Sequence, residues 1–382
     1  MKEILEKYID KYGTGFVLKT YNKGKINTYV TGYKEVKPEK KEMTETAVFD
    51  IASLTKTVTA ILVHKSIEEG LLKLEDKISD INNNFVNLKE ISIGDLLAHK
   101  VELYTDGYLG SAKTKEEFYR ILYSVYVKTN KRTYVDVHYM ILSNLLEKIY
   151  CLRFDEIVNE YICKPISLNN TSFEGKEHNN CVSCNYESRN GVIIDNTPPG
   201  IHHDTKARVA YGLGLYIGHS GIFTTSSDFF KILISLVDKN EKLLKSYTVE
   251  NSLSHDDITK EQNEEIAKLG LELGIKTNDT NKIMNEIVGK ENGSKYYNRI
   301  TRVYNYLGTR HRNNVELINE IPRKASAETV VFTGYTGPFY LIDFEKEIII
   351  LLMANTTHDN NISRFEKLTL IKKITEEIYN NI

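Results

Sequence analysis

Apolar positions recur along this chain with two periods, and the period changes mark its elements. Met1–Ile9 reads as an amphipathic, charged helix. Gly15–Thr20 and Lys25–Thr31 read as two short strands around Tyr21-Asn22-Lys23-Gly24, a hairpin signal. From about 50 to about 170 the helical period dominates. Val58, Ile61, Leu62 and Ile67 predict an amphipathic helix that stops at Gly70. Ile91–His99, Lys115–Val125, Tyr139–Tyr150 and Phe154–Ile162 predict further helices. The polar stretch 172–205, with Pro198-Pro199-Gly200, reads as loop, and Ser227–Val237 as helix. Residues 238–300 are charged and predict helix plus loops.

The end of the chain returns to strands. Thr329–Thr333, Phe339–Asp343 and Ile348–Met353 are separated by Gly334, Gly337 and Pro338 and then by Phe344–Glu347. Ser363–Tyr379 predicts a closing amphipathic helix. Strands at both ends around a helical block imply an α/β (α+β) fold. Its antiparallel sheet is flanked by the terminal helices, and a mainly helical domain is inserted. The implied division is a sheet domain of residues 1–45 and 206–382 and a helical domain of 46–205. No internal repeat or low-complexity segment is visible.

Composition narrows the class. The 382 residues are 41% hydrophobic and 27% charged, enough for a real core. The net charge of -2 calls for neither nucleic acid nor an anionic membrane surface. With 25 Tyr and no Trp, pocket walls are expected to be built from tyrosine. The N-terminus has no apolar core of a secretory signal, and the apolar run Ile348–Ala354 is far too short for a membrane span. A cytoplasmic protein is expected, with no oligomeric state implied. Cys151, Cys163, Cys181 and Cys184 are expected as reduced thiols. Cys181 and Cys184 form a C-x-x-C near His178, His202 and His203, but no second ligand pair is clearly spaced, so no metal is expected.

Candidate chemistry centres on Ser53 and Lys56 in Phe49-Asp50-Ile51-Ala52-Ser53-Leu54-Thr55-Lys56. Positions i and i+3 share a helix face, so the amine can lie beside the hydroxyl. A serine needs a neighbouring base to become a nucleophile, and a desolvated lysine can serve. A helix start also favours an oxyanion. Tyr134 in Tyr134-Val135-Asp136 is a candidate second proton-handling group. The plainer reading has Tyr134 as one of many tyrosines and Asp136 as a helix cap. In Phe332-Thr333-Gly334-Tyr335-Thr336-Gly337-Pro338, Gly334 allows close approach to a strand edge. The amide of Tyr335 can then pair with that of Ser53 as an oxyanion hole. The plainer reading is a glycine-rich hairpin turn.

Ser-x-x-Lys, then Tyr-x-Asn/Asp, then a Thr-Gly strand near the C-terminus resembles the order of the serine penicillin-recognising enzymes. The chain is most similar to class C β-lactamases, D-alanyl-D-alanine carboxypeptidases and related esterases. Ile91–His99, Tyr139–Ile149, Gly218–Phe229 and the final hairpin resemble further segments of that family. The resemblance implies a β-lactamase/transpeptidase-like fold with the site between its domains. It implies Ser53 as acylated nucleophile, Lys56 as base partner, Tyr134 as proton shuttle and the Ser53 and Tyr335 amides as oxyanion hole. Asp136, Phe332, Thr333 and Gly334 are implied to contact a small-molecule or peptide acyl substrate, and no cofactor is implied.

Three positions depart from the family pattern. Phe332 stands where Lys or His is usual, and loss of a charge-assisted contact costs ~1.5–3 kcal/mol. A poor β-lactamase is therefore expected, unless Arg310 or Arg312 replaces the cation. Asp136 stands where Asn is usual; it either holds Lys56 charged or accepts a substrate ammonium. Lys100–Leu103 replaces the usual small-residue turn after His99. The leading expectation is an acyl-enzyme serine hydrolase of esterase, amidase or carboxypeptidase type, with acyl transfer open to it. The rival is a non-catalytic relative that binds a ligand in the same cleft.

Overall fold

The computed structural model describes residues 1–382 except 178, 185–186, 190–191, 196, 239, 289–295, 297–299, 313–319 and 360–363. Its central sheet has six antiparallel strands. In spatial order they are Thr329–Thr333, Phe339–Asp343, Ile348–Ala354, Gly15–Asn22, Lys25–Glu35 and Lys41–Glu42. The two ends of the chain meet where Leu18 pairs with Leu352 and Val17 with Met353. The first hairpin closes through Lys23 and Gly24 alone, with Asn22 paired to Lys25. Both turn residues have positive φ, 46° and 87°, the twist a two-residue hairpin needs.

Ile348–Ala354 is apolar throughout because both of its faces are covered. Ile349, Leu351 and Met353 join Val17, Val330, Phe332, Tyr340 and Ile342 in one core. Ile348, Ile350, Leu352 and Ala354 join Phe16, Leu18, Val331, Phe339 and Leu341 in the other. The second core is roofed by the terminal helices Lys2–Glu6 and Arg364–Tyr379, through Leu5, Leu368, Ile371, Ile374 and Ile378. The first continues through the Ser226–Val237 helix into the helical block.

The helix Thr55–Glu68 is not amphipathic as expected. Thr55 through His64 and Ser66 are all buried. It lies inside the first core, and its polar side chains bond internally: Thr57 with Tyr340 Oη (2.8 Å), Thr59 with the Gly218 carbonyl (2.7 Å) and Ser66 with the Leu62 carbonyl (2.9 Å). An interior helix has no solvent face for the period to report. Two further differences lie in polar segments. Glu187–Arg189 and Val192–Asp195 pair as a short hairpin where loop was expected. The charged stretch after 238 contains helices Ser246–Ser252, Thr259–Glu272 and Thr280–Val288. Among the described residues, no helix is long and apolar enough to cross a membrane.

The two-sided burial has a measurable consequence. Ile350→Ala, in a fully buried position, should cost about 2–5 kcal/mol of unfolding free energy in urea titrations. Ile26→Ala, in the same sheet but 51% exposed, should stay within about 0.5 kcal/mol.

Candidate active site

The segment before Ser53 is held in a strained turn. Strand Val48–Asp50 pairs with Phe223–Thr225, and the chain then passes through Ala52 at φ 46°. A non-glycine residue there costs on the order of 1–3 kcal/mol and persists only where its surroundings impose it. Asp50 imposes it. One of its carboxylate oxygens accepts the Ala52 N–H (2.8 Å) and the other accepts the His203 N–H (2.8 Å). Its carbonyl accepts the Thr336 hydroxyl (2.8 Å), so three segments meet on one buried residue. Burial pushes the Asp50 carboxyl up to about 6, against the pull of those N–H groups.

Ser53 lies in the short 3-10 turn Ala52–Leu54, one turn ahead of the helix that carries Lys56. Lys56 is fully buried, and each of its three N–H groups has an acceptor. These are Ser53 Oγ (3.1 Å), Asp136 Oδ1 (2.9 Å) and the His219 carbonyl (3.1 Å). Burial pulls the Lys56 amine down, but the Asp136 carboxylate and the Tyr134 phenol outweigh it and hold the group above an ordinary lysine. The resting group is an ammonium.

Asp136 is not spent on capping the Val137–Tyr150 helix, since its side chain makes no cap bond. Its second oxygen lies 3.1 Å from Lys206 Nζ. Lys206 also holds Asp204 Oδ2 (3.1 Å), and Asp204 Oδ1 accepts from Ala207 N (2.9 Å) and from His219 Nε2 (3.1 Å). The chain of contacts closes on itself: Lys56, Asp136, Lys206, Asp204, His219 and back to Lys56. Burial pushes Asp136 up, but Lys56, with His219 and Lys206, holds it well below the usual carboxylate range. Asp204 is likewise raised by burial and brought far down by His219 and Lys206. Among the described residues, Asp136, Asp204 and His219 offer donor atoms within 4.8 Å of one another, a spacing that suits a metal. The Lys206 ammonium already bridges both carboxylates, so the arrangement reads as a ring of ion pairs.

Tyr134 leans over this ring, with Lys56 Nζ 4.9 Å from its ring centroid. Its own ring packs on His99 (4.7 Å), Tyr304 (5.8 Å) and Phe332 (6.4 Å). Burial raises its phenol, and Lys56 only partly offsets that, so it rests neutral. Behind it, His99 and His138 share one hydrogen bond between Nδ1 atoms (2.7 Å). Burial keeps both neutral, pulling His138 down to about 3.

The glycine-rich loop meets the turn that carries Ser53 directly. A Cβ on Gly334 would lie 2.7 Å from the Ile51 carbonyl oxygen. The close neighbour on that side of Gly334 is the protein's own backbone, two residues before Ser53. The contact brings the segment bearing the Tyr335 amide against the turn bearing the Ser53 amide. Tyr335 itself is exposed, its ring between His203 (5.2 Å) and Lys367 Nζ (5.0 Å).

Phe332 is buried and faces the same core as Val330. Arg310, not Arg312, reaches this strand. Its Nη1 donates to Thr333 Oγ1 (3.2 Å), and its Nη2 lies 3.1 Å from Glu320, which also takes Arg302 (2.9 Å). Arg312 turns to the Pro322 and Ala325 carbonyls.

These segments enclose one cavity of about 420 Å³. Ser53, Asp136, Phe332, Thr333 and Gly334 line it together with Tyr12, Tyr108, Tyr134, Tyr304 and Tyr335. The structure thus brings together every candidate site residue, with Lys56 beneath Ser53. It leaves the cysteines outside. All four are unpaired; Cys181 donates to the Gly175 carbonyl (3.2 Å), and burial pushes its thiol up to about 12. His178 lies outside the described residues. Asp50, Asp204 and Lys206 were missed. Asp204 carries a helix-cap signal ahead of Thr205–Gly212, but nothing local marks Lys206.

Comparison with known proteins follows this geometry. A family model described as Beta-lactamase matches residues 4–371. A putative D-alanyl-D-alanine carboxypeptidase of Salmonella enteritidis PT4 is 24% identical over 350 residues, covering 82% of this chain and 71% of the relative. Unliganded simvastatin synthase (LovD) from Aspergillus terreus superposes with a TM-score of 0.70 at 15% identity, over 99% of this chain and 97% of that one. EstCE1, described as a hydrolase with promiscuous acyltransferase activity, gives a TM-score of 0.69 at 15% identity, over 98% and 97%.

Gly334→Ala should push the strand end off the Ile51 carbonyl and separate the two amides. Modification of Ser53 by a fluorophosphonate, followed by intact mass, should slow about tenfold or more. Stability should also fall with acid. Burial lowers His64, His99, His138, His202 and His311, the last three to about 3, about 4 and about 4. Their contribution is full above about 6.5, the unfolded value, and is lost as pH falls through the folded values. Asp50 and Glu147, raised by burial to about 6 and about 7, act oppositely but are fewer. The urea midpoint at pH 5 should lie below that at pH 7.5; an unchanged or higher midpoint contradicts this assignment.

Proposed function

The chain belongs to the β-lactamase family, and on that premise we propose that it is a serine hydrolase of esters or amides working through an acyl-enzyme on Ser53. The observation that carries the reading is the buried Lys56 ammonium bonded at 3.1 Å to the Oγ of Ser53, which lines the cavity. Such a contact orients the hydroxyl and links it to a group that can exchange its proton. Lys56 and Tyr134 titrate as one coupled pair. The form that has lost one proton from this pair accepts the proton of Ser53 Oγ as the oxygen bonds to the acyl carbon. The same proton then goes to the leaving alcohol or amine. The Ser53 and Tyr335 amides are the donors assigned to the tetrahedral oxyanion. Water, or an alcohol or amine acceptor, releases the acyl group by the reverse proton path. The cavity lies between the sheet domain, 1–45 and 206–382, and the helical domain, 46–205.

The acyl group favoured is uncharged. Phe332 gives an apolar wall where relatives with a lysine or histidine would offer a cation, and the Arg310 guanidinium is held on Thr333 Oγ1 and on Glu320, a carboxylate it shares with Arg302. Both oxygens of Asp136 already carry a lysine, which argues against its accepting a substrate ammonium. Hydrolysis of β-lactams is therefore the weaker activity. Transfer to an acceptor is supported by the likeness to a hydrolase with promiscuous acyltransferase activity and to simvastatin synthase. One observation favours the rival, a non-catalytic binder: the ion-pair ring keeps Lys56 charged at rest.

Intact-mass spectrometry separates the two. A fluorophosphonate or penicillin probe should add one adduct to the wild type and none to Ser53→Ala. A wild type inert to every acylating probe supports the binder. Where an adduct forms, p-nitrophenyl esters should turn over at least about tenfold faster than nitrocefin, the difference expected from one missing charge-assisted contact.

A further inference from the structure

Lys206 is used by nothing in the mechanism above, yet it is half of the Asp136 environment. It sits at the second position of the Thr205–Gly212 helix, and its ammonium is 3.1 Å from Asp136 Oδ2 and 3.1 Å from Asp204 Oδ2. Asp204 caps the same helix and is tied to His219, whose carbonyl holds Lys56. The preceding residue but two, His203, is bonded by its N–H to Asp50. Lys206 is thus fixed from both ends and delivered to the oxygen of Asp136 that faces away from Lys56.

We propose that Lys206 is a positioning residue that divides the charge of Asp136 between two ammonium groups and so leaves Lys56 able to give up a proton during acylation. This rests on the acyl-enzyme reading of Ser53. An aspartate paired with one buried lysine forms a full ion pair and holds that lysine's proton firmly. A second ammonium on its other oxygen weakens the hold twice, by sharing the anion and by repelling the first cation. Other groups face Lys56 from every side. Tyr134, His138 and Tyr139 come from the 134–150 segment, His99 from the loop after Ile93–Leu97 and His219 from the 218–222 segment. Tyr304 and Arg310 border the cavity beyond Tyr134. Of the groups in the ring, Lys206 is the second lysine, and Asp136 is the one charged group that it and Lys56 both contact. The aspartate at position 136 is charge-balanced here by Lys206 on its second oxygen.

The test is the pH profile of Ser53 acylation by a small fluorophosphonate, read by intact mass between about pH 6 and pH 10.5. Lys206→Met should move the rising midpoint up by about one pH unit and slow the reaction at pH 8 about tenfold. Lys206→Arg should restore the wild-type midpoint. Asp136→Asn should move it the opposite way, downward, and the double variant should fall between the two single ones. Lys206→Gln carries the same test if the Met variant does not fold. A purely structural cross-link would lower rates without moving midpoints. The inference is overturned if the Met and Gln variants keep the wild-type midpoint, or if Lys206→Met and Asp136→Asn shift it in the same direction. A wild type that no probe acylates removes the acyl-enzyme reading itself, and this inference with it.

Discussion

A lysine ammonium with no solvent must place three protons on protein acceptors, and Lys56 does so on groups drawn from three segments. An unpaired charge at this depth would cost far more than the domain's net stability allows. Its partners are three, 80 and 163 residues away along the chain, so meeting this one requirement joins the nucleophile turn, the Tyr134–Asp136 segment and the 218–222 segment. The same bonds place the hydroxyl of Ser53. Site geometry and burial of the charge are therefore one constraint, and the ring through Lys206 and Asp204 extends it outward.

The second constraint is steric. The edge of the sheet comes close to the turn that carries Ser53, with Gly334 against the Ile51 carbonyl. Asp50 ties that contact down from the other side through Ala52, His203 and Thr336. Phe332, one strand position from Thr333, points into the first core rather than offering a charge. The alternation of a strand sends neighbouring side chains to opposite faces, so one substitution there exchanges electrostatics for packing without disturbing the sheet.

Tension between these constraints shapes the chemistry. The half-buried Asp136 carboxylate compensates the buried Lys56 ammonium and opposes the loss of a proton from the amine. The neutral phenol of Tyr134 and the neutral His99–His138 pair add no further positive charge at rest. The ring is consequently charge-balanced, two lysines against two aspartates.

Local periodicity and spacing determined much of this. The strands at both ends, the Ser53–Lys56 pair, the Tyr134 segment and the 332–338 loop were all legible, because each depends on neighbours within a few residues. The burial of Thr55–His64 on every face was not, since its apolar and polar residues alike pack internally and leave no solvent face to read. Nor were Asp50, Asp204 and Lys206. A salt bridge between residues 136 and 206 has no local period or motif; it exists only once the starts of two helices have been brought together. Short-range rules fix what a segment becomes, whereas the partners of a buried charge are decided by which segments the completed fold makes adjacent.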